Sequence, residues 1–290
     1  MQEITRDVVK GLLPKRDADT NKGSFGSVLA VAGSMAYRGA ASLCVEGALR
    51  GGAGLVYLAS VEPVLQLVLA RTPECCPCGC RTDAGGGIRA QDTAALREWF
   101  ADKNTVLLAG PGLGENASNL CNVLLGKRQP WAAAVLDADA LNALAAGTLH
   151  AALPEHTVLT PHPGEAARLL HTTVGEIQAD REGAVRQLAE EYRCVAVLKG
   201  NGTLITAPGE EVWRNTTGNA GLARGGSGDV LAGMIAGLAA QGLAPAQAAV
   251  CGVYLHGLAA DRCAARLSQQ GMLPEDILVD LCALYLENGR

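Results

Sequence analysis

The residues best placed for chemistry lie in one stretch, Asn219-Ala220-Gly221-Leu222-Ala223-Arg224-Gly225-Gly226-Ser227-Gly228-Asp229, followed by the helical Val230-Leu231-Ala232-Gly233-Met234. Glycines ahead of a helix leave backbone N–H groups unobstructed, and the helix N-terminus adds partial positive charge. The stretch therefore reads as an anion site that fits a phosphate. Asp229 falls in the first turn, close enough to such an anion to act as base on a hydroxyl that attacks a phosphoryl group. The plainer reading is that Ser227 or Asp229 caps the helix, but capping alone does not require Gly225, Gly226 and Gly228 together.

Three further constellations carry polar groups past strand ends. Lys199-Gly200-Asn201-Gly202-Thr203 offers an amine and a hydroxyl in a glycine turn, suited to nucleotide phosphates or equally to an ordinary tight turn. In Thr160-Pro161-His162-Pro163-Gly164-Glu165, two prolines fix the backbone, aim His162 and place Glu165 in the first turn of a helix. Glu165 suits a hydrated Mg²⁺, which keeps several waters and accepts one or two carboxylates. Alternatively it only complements the helix dipole, with His162 an ordinary loop residue. In Leu136-Asp137-Ala138-Asp139-Ala140-Leu141-Asn142, Asp137 could orient a metal or substrate and Asp139 could cap the next helix; spacing does not separate these roles. His256, within the apolar run 248–260, reads as a packed core histidine. No Gly-x-x-x-x-Gly-Lys-Ser/Thr occurs and no Gly-x-Gly-x-x-Gly follows the first strand, which argues against P-loop and dinucleotide-binding dehydrogenase sites.

The elements that must hold these groups alternate. Candidate strands are Ser27–Ala32, Leu55–Ala59, Thr105–Ala109, Ala133–Leu136, Thr157–Leu159 and Cys194–Leu198, with helical periods over Ala40–Arg50, Thr93–Phe100, Ala138–Ala146 and Val174–Tyr192. Repeated β-α-β units predict an α/β fold: a mostly parallel central sheet with helices on both faces. Thr203–Ala207 and Glu211–Arg214, split by Pro208 and Gly209, predict a small antiparallel hairpin at one edge. Helices Ser227–Gln241, Pro245–Leu267 and Pro274–Leu286 follow. With no internal repeat or long linker, residues 1–290 read as a single domain.

Composition narrows the function. The chain of 290 residues is 49% apolar, enough for a substantial core, and its 36 glycines suit turn-rich α/β architecture better than an aromatic-rich sandwich. Its 24 basic against 29 acidic residues give a net charge of −5 with no basic run, which argues against nucleic acid as a partner. No apolar stretch reaches the roughly 18–20 residues that cross a bilayer, and Met1–Asp19 has no signal-peptide core, so no membrane partner and a cytoplasmic location are expected. The ten cysteines are then read as reduced thiols. Cys75, Cys76, Cys78 and Cys80 form a cluster that is either a zinc site, crowded for one, or a surface or strand segment with redox-sensitive thiols.

Taken together, these segments resemble the ADP/ATP-dependent NAD(P)H-hydrate dehydratases of the ribokinase-like superfamily. The likeness spans nearly the whole chain: Lys22-Gly23-Ser24-Phe25-Gly26, Ala32-Gly33-Ser34, Gly39-Ala40-Ala41, Gly110-Pro111-Gly112-Leu113-Gly114, residues 136–142, 160–165, Lys199-Gly200, and 215–233. The resemblance implies repair of NADH or NADPH hydrated at C6 of the nicotinamide ring, acting on the S-epimer. A nucleoside phosphate phosphorylates the hydroxyl, and elimination of phosphate restores the ring; ADP would give AMP and phosphate. It further implies Asp229 as the catalytic base, Ala40, Gly112, Gly114, His162 and Asp229 on the hydrated dinucleotide, and Lys199, Gly200, Asn201, Gly202 and Thr203 with Gly226, Ser227 and Gly228 on the adenine nucleotide.

Glu165 resembles the acidic member of the superfamily's Asn-x-x-Glu magnesium motif, but His162 stands in the Asn place, which implies contact with Mg²⁺ through water. The family's usual His before Lys22-Gly23 is Asn21 here. Many relatives carry a preceding epimerase domain; about 20 residues precede Lys22, too few for one, so the stand-alone form is expected, with ADP favoured over ATP. Relatives are often homotetramers, and the Ala- and Gly-rich helices suit close packing against a partner. The alternative is a small-molecule kinase of the same superfamily, of thiazole or pyridoxal type, sharing the Gly-rich loop and Asp229.

Overall fold

Short runs rich in Val, Leu and Ala make the strands of a computed structural model that describes residues 1–101, 104–126 and 130–288. The strands are β1 (Gln2–Glu3), β2 (Ser27–Val31), β3 (Leu55–Val61), β4 (Cys76–Cys80), β5 (Thr105–Ala109), β6 (Trp131–Leu136), β7 (Thr157–Leu159), β8 (Val195–Leu198), β9 (Leu204–Thr206) and β10 (Trp213–Arg214). The helices are α1 (Arg6–Leu12), α2 (Arg38–Arg50), α3 (Glu62–Arg71), α4 (Ala90–Phe100), α5 (Ala117–Leu124), α6 (Asp139–Ala145), α7 (Pro163–Leu169), α8 (Val174–Ala179), α9 (Arg181–Tyr192), α10 (Ser227–Ala240), α11 (Pro245–Leu267) and α12 (Ile277–Glu287).

One ten-stranded sheet runs in the order β1-β10-β9-β8-β7-β6-β5-β2-β3-β4. Pairing is parallel from β8 through to β4 and antiparallel at β8–β9 and β9–β10. The antiparallel hairpin is therefore present but is not the edge, because β1 pairs parallel to β10 beyond it. Strand β8 shows both faces covered. Its Val195 and Val197 join the main core, whereas Ala196 and Leu198 pack with Val185 and Leu188 of α9 in a second cluster.

The chain leaves β2 toward β3 and β4 on one side, and β5 leads to β6 and β7 on the other. The crevice at the carboxyl ends of β2 and β5 is thus the switch point where ligands bind in open α/β sheets. Here the loops after the two strands are tied together: Gly33 N–H donates to the Pro111 carbonyl at 2.8 Å. Behind this crevice α2 and α10 pack backbone to backbone, since a Cβ on Gly47 of α2, on Gly51 just past its end, or on Gly233 or Gly237 of α10 would collide with the facing helix. That close packing fixes the start of α10 relative to the sheet.

One expectation changes. The segment 174–192 is two helices, because Asp180 ends α8 and then accepts from Gly183 N–H as the N-cap of α9. The cysteine cluster follows the strand reading: Cys76, Cys78 and Cys80 lie in the outermost strand β4, paired only with β3, and Cys75 directly precedes it. Its thiols form no disulfide, burial pushes Cys75 and Cys80 up to about 12, and no group of three or more metal-ligating side chains converges among the described residues. His256 is buried as expected, and burial, then Lys199, holds its imidazole down at about 4.

Candidate active site

Three segments distant in sequence converge on the first turn of α10. Gly226 precedes it with φ of 98°, and a Cβ there would strike the Leu43 side chain of α2. No side chain caps this helix, so neither Ser227 nor Asp229 plays the capping role. The Ser227 hydroxyl is buried and has no hydrogen-bond partner among the described residues. Ser227 N–H donates to the Arg224 carbonyl at 3.3 Å, so the buried hydroxyl and the uncapped N-terminus beside it are what an anion would satisfy.

Asp229 is the third residue of α10. Burial raises its carboxyl to about 7, the nearby Asp137 carboxylate adds to the rise, and Lys199 opposes it. A carboxylate poised there is matched to proton abstraction near neutral pH.

Lys199 directly follows β8 and turns inward. Its Nζ lies 2.7 Å from Asp137 Oδ1 and 3.8 Å from Glu165 Oε2, and 3.3 Å from where a Cβ on Gly228 would sit. Burial alone would depress the amine, but Asp137 and Glu165 hold it above its ordinary value. Its charge thus faces the start of α10, and not outward beside exposed Asn201. Thr203 likewise spends its hydroxyl on its own loop, donating to the Gly200 carbonyl at 2.9 Å. The loop is built around Arg181 of α9, whose Nη2 reaches the carbonyls of Leu198, Lys199 and Gly202. Arg181 escaped the sequence reading because its position was absorbed into one continuous helix. Gly200 and Gly202 hold φ of 133° and 67°, so the turn needs glycine at both.

The residues expected on the dinucleotide side also meet. A Cβ on Gly112 would lie 2.8 Å from the Tyr37 carbonyl and 3.0 Å from Ala40 Cβ, so the loop after β5 is pressed on the start of α2. Gly114 N–H donates to Asp139 Oδ2 at 2.8 Å. Asp139 therefore holds that loop and does not cap α6, whose preceding residue Ala138 provides no side-chain cap.

His162 and Glu165 form a capping box at α7. His162 Nδ1 accepts from Gly164 and Glu165 N–H at 3.0 and 3.3 Å, and Glu165 Oε2 accepts from His162 N–H at 2.8 Å. The ring is half exposed, with Nε2 3.6 Å from Glu165 Oε1. Burial, then Lys199 and Arg168, lowers its pKa, which favours the neutral imidazole. Burial raises the Glu165 carboxyl to about 7 against the pull of Lys199. Asn21 caps the short turn Lys22–Phe25, its Oδ1 accepting from Gly23 N–H at 2.8 Å.

Among the described residues no helix is long and apolar enough to cross a membrane. A family profile described as NAD(P)H-hydrate dehydratase matches residues 28–282. A bifunctional NAD(P)H-hydrate repair enzyme of Moorella thermoacetica is 44% identical over 98% of this chain and 54% of its own length, so the chain spans about half of that relative. An ADP-dependent (S)-NAD(P)H-hydrate dehydratase of Neisseria meningitidis is 40% identical over 85% of this chain and 80% of its own. Among solved structures, the ADP/ATP-dependent NAD(P)H-hydrate dehydratase of Bacillus subtilis, co-crystallised with ATP/Mg²⁺, superposes with a TM-score of 0.83 at 31% identity, covering 99% of this chain and 98% of that one. The fold is ribokinase-like. With its matched span running from β2 into α12, the chain belongs to the NAD(P)H-hydrate dehydratase family.

Proposed function

We propose that this chain uses ADP or ATP to dehydrate the S-epimer of hydrated NADH or NADPH, returning the working cofactor. The observation that carries the reading is a carboxyl held near pH 7, Asp229, on the first turn of a helix whose N-terminus no side chain caps. Relatives named for this reaction match across the same span.

Asp229 removes the proton of the C6 hydroxyl, which attacks the terminal phosphoryl group of the nucleotide. The N–H groups of Gly226 and Gly228 and the hydroxyl of Ser227 receive the charge that develops on it. The phosphorylated oxygen leaves C6 as phosphate while the ring nitrogen supplies electrons, loss of the C5 proton to water then forms the C5–C6 double bond and restores the dihydronicotinamide, and with ADP the other product is AMP. Lys199 and the loop through Gly200, Asn201, Gly202 and Thr203 hold the nucleotide. Ala40, Gly112, Gly114 and His162 hold the hydrated ring. Lys199 keeps the site's negative charge balanced between Asp137 and Glu165, so an anionic nucleotide meets a cation already in place.

A Mg²⁺ ion would supply charge neutralisation on the transferred phosphoryl group. The donor set fits water-mediated contact: Glu165 is a single pinned carboxylate beside Lys199, and nucleotide phosphates would complete the ion's oxygen shell. We further propose one domain over residues 1–290, supported by the single sheet, and a cytoplasmic homotetramer, supported by family resemblance. Light scattering checks the assembly.

The decisive test mixes the protein with hydrated NADH and either ADP or ATP and follows recovery of dihydronicotinamide absorbance. Recovery with release of phosphate is expected. No recovery with either nucleotide, together with a stable phosphorylated thiazole or vitamin alcohol, would assign the chain to small-molecule kinase chemistry instead.

A further inference from the structure

The Gly-rich approach to α10 lies outside the sheet, and one side chain of α11 grips its entrance. Gly218 N–H donates to Asp261 Oδ2 at 2.9 Å, and Asn219 Nδ2 donates to Asp261 Oδ1 at 2.9 Å. Both carboxylate oxygens are thus taken by consecutive residues of the loop. We infer that Asp261 is a positioning residue for phosphoryl transfer, acting through this loop to set where the phosphate-binding backbone stands relative to Asp229. The inference rests on the dehydratase reading and adds to it a residue outside the Gly-rich stretch.

The grip belongs to a seat that α11 provides. Tyr254, Gly257 and Asp261 follow one another at helical spacing on one face. Thr217 Oγ1 donates to the Tyr254 carbonyl at 3.0 Å, and a Cβ on Gly257 would strike Thr217. Beyond Asp261, a Cβ on Gly221 would lie 2.9 Å from the Gln269 carbonyl, and Arg224 Nη2 donates to the Gln270 carbonyl at 2.9 Å. The segment from Thr217 to Arg224 therefore lies along α11 and the turn that ends it.

Asn219 passes the grip onward. Its Oδ1 accepts from Gly221 N–H at 2.9 Å and its carbonyl accepts from Leu222 N–H at 3.1 Å, which coils the loop on itself. The far end is seated on α2, where Gly226 meets Leu43. The loop is thus held at two points, by α2 at Gly226 and by α11 at Gly218. Bonds to an ionised carboxylate are roughly twice as strong as neutral ones, which suits a backbone that must stay still while charge moves past it. A misplacement on the order of 1 Å costs about 10²-fold in rate, so freeing the entrance should be felt at the chemistry.

Reversing the hydrogen bond tests this. Asp261→Asn alone leaves an amide donor facing either Gly218 N–H or Asn219 Nδ2, and Asn219→Asp alone sets two carboxylates face to face. Combined, they restore the match: the amide at position 261 accepts from Gly218 N–H and donates to the carboxylate at position 219, whose other oxygen still accepts from Gly221 N–H. Each single substitution is expected to lower kcat about 10- to 100-fold and to weaken ADP binding in calorimetry about three- to tenfold, with KM for hydrated NADH unchanged. The double variant is expected to recover kcat to within about threefold of wild type. All values are taken per folded protein, measured by circular dichroism; if Asn219→Asp does not fold, the kcat and ADP affinity of Asp261→Asn decide. Wild-type kcat and ADP affinity in Asp261→Asn, or a double variant no better than the poorer single one, would overturn the inference. A wild-type protein that binds ADP but does not dehydrate hydrated NADH would overturn the dehydratase reading alone, and the ADP affinities would still judge Asp261. A wild-type protein that binds neither ADP nor ATP would overturn both.

Discussion

Two helices of the site begin alike and are finished differently. Both α7 and α10 carry an acidic residue at their third position, Glu165 and Asp229, and burial raises both carboxyls to about 7. At α7 the acid folds back onto His162 N–H, and His162 accepts two backbone N–H groups in return. The N-terminus is closed by the protein itself. At α10 the preceding residue is a left-handed glycine, no side chain caps, and the one hydroxyl present has no partner among the described residues. The same helical position thus stabilises one element and leaves the other open to an anion from outside, and Lys199 stands beside both. An uncapped N-terminus beside a capped one is a better pointer to a phosphate site than the glycines alone.

The largest effect should come from removing the open acid. Asp229→Asn is expected to lower turnover by about 10²- to 10⁴-fold while nucleotide affinity stays within roughly tenfold, read by steady-state kinetics and calorimetry. The wild-type kcat/KM should fall as pH drops below about 7, because the base must be ionised. Stability moves the other way. A carboxyl whose folded pKa is raised from 3.8 to about 7 binds its proton more tightly when folded. Its contribution is fully present below the unfolded value and is lost as pH climbs through the folded one. Asp229→Asn should therefore be more stable than wild type at pH 8, by about 1 kcal/mol or more, in urea melts. A variant less stable at pH 8 would mark Asp229 as a structural carboxylate and dissolve the contrast with Glu165.

Lys199→Met comes next, since it leaves Asp137, 2% exposed, without its cation. Breaking such a buried pair should cost about 3 kcal/mol in urea denaturation. It should also move the acid limb of any residual activity upward, because Lys199 now lowers the Asp229 pKa. A limb that stayed in place would show that the lysine serves α7 alone.

Much of this was legible in the chain. Thr105–Ala109 and Thr157–Leu159 are strands with the expected ends, since short buried β-branched runs between turns admit little else. The Gly-rich approach to α10 was legible because three glycines so close together have no purely local purpose. The charge network was not: Lys199 and Asp137 are 62 residues apart, and their meeting depends on β6 and β8 both flanking β7. The short helices α1, α3 and α5 also escaped, being too brief for a clear period, although Glu62-Pro63 at the start of α3 was an available start signal. Asp180 shows how a lone cap residue can be hidden in a polar helical face. Its N-capping of Gly183 divides a stretch whose apolar spacing alone looks continuous.

The smallest effects test the comparison most finely, because they separate capping from binding. His162→Ala removes a side chain that accepts two N–H groups of α7, so it should cost about 1 kcal/mol of stability, the usual loss for a cap. Ser227→Ala at the corresponding start of α10 removes a hydroxyl that bonds nothing among the described residues, so stability should stay within about 0.5 kcal/mol or rise. Nucleotide affinity should respond in the opposite order to stability: weakened several-fold by Ser227→Ala, whose hydroxyl is buried without a partner among the described residues, and little changed by His162→Ala. If Ser227→Ala cost as much stability as His162→Ala, the hydroxyl would be a cap after all, and the open N-terminus of α10 would lose its claim on the phosphate.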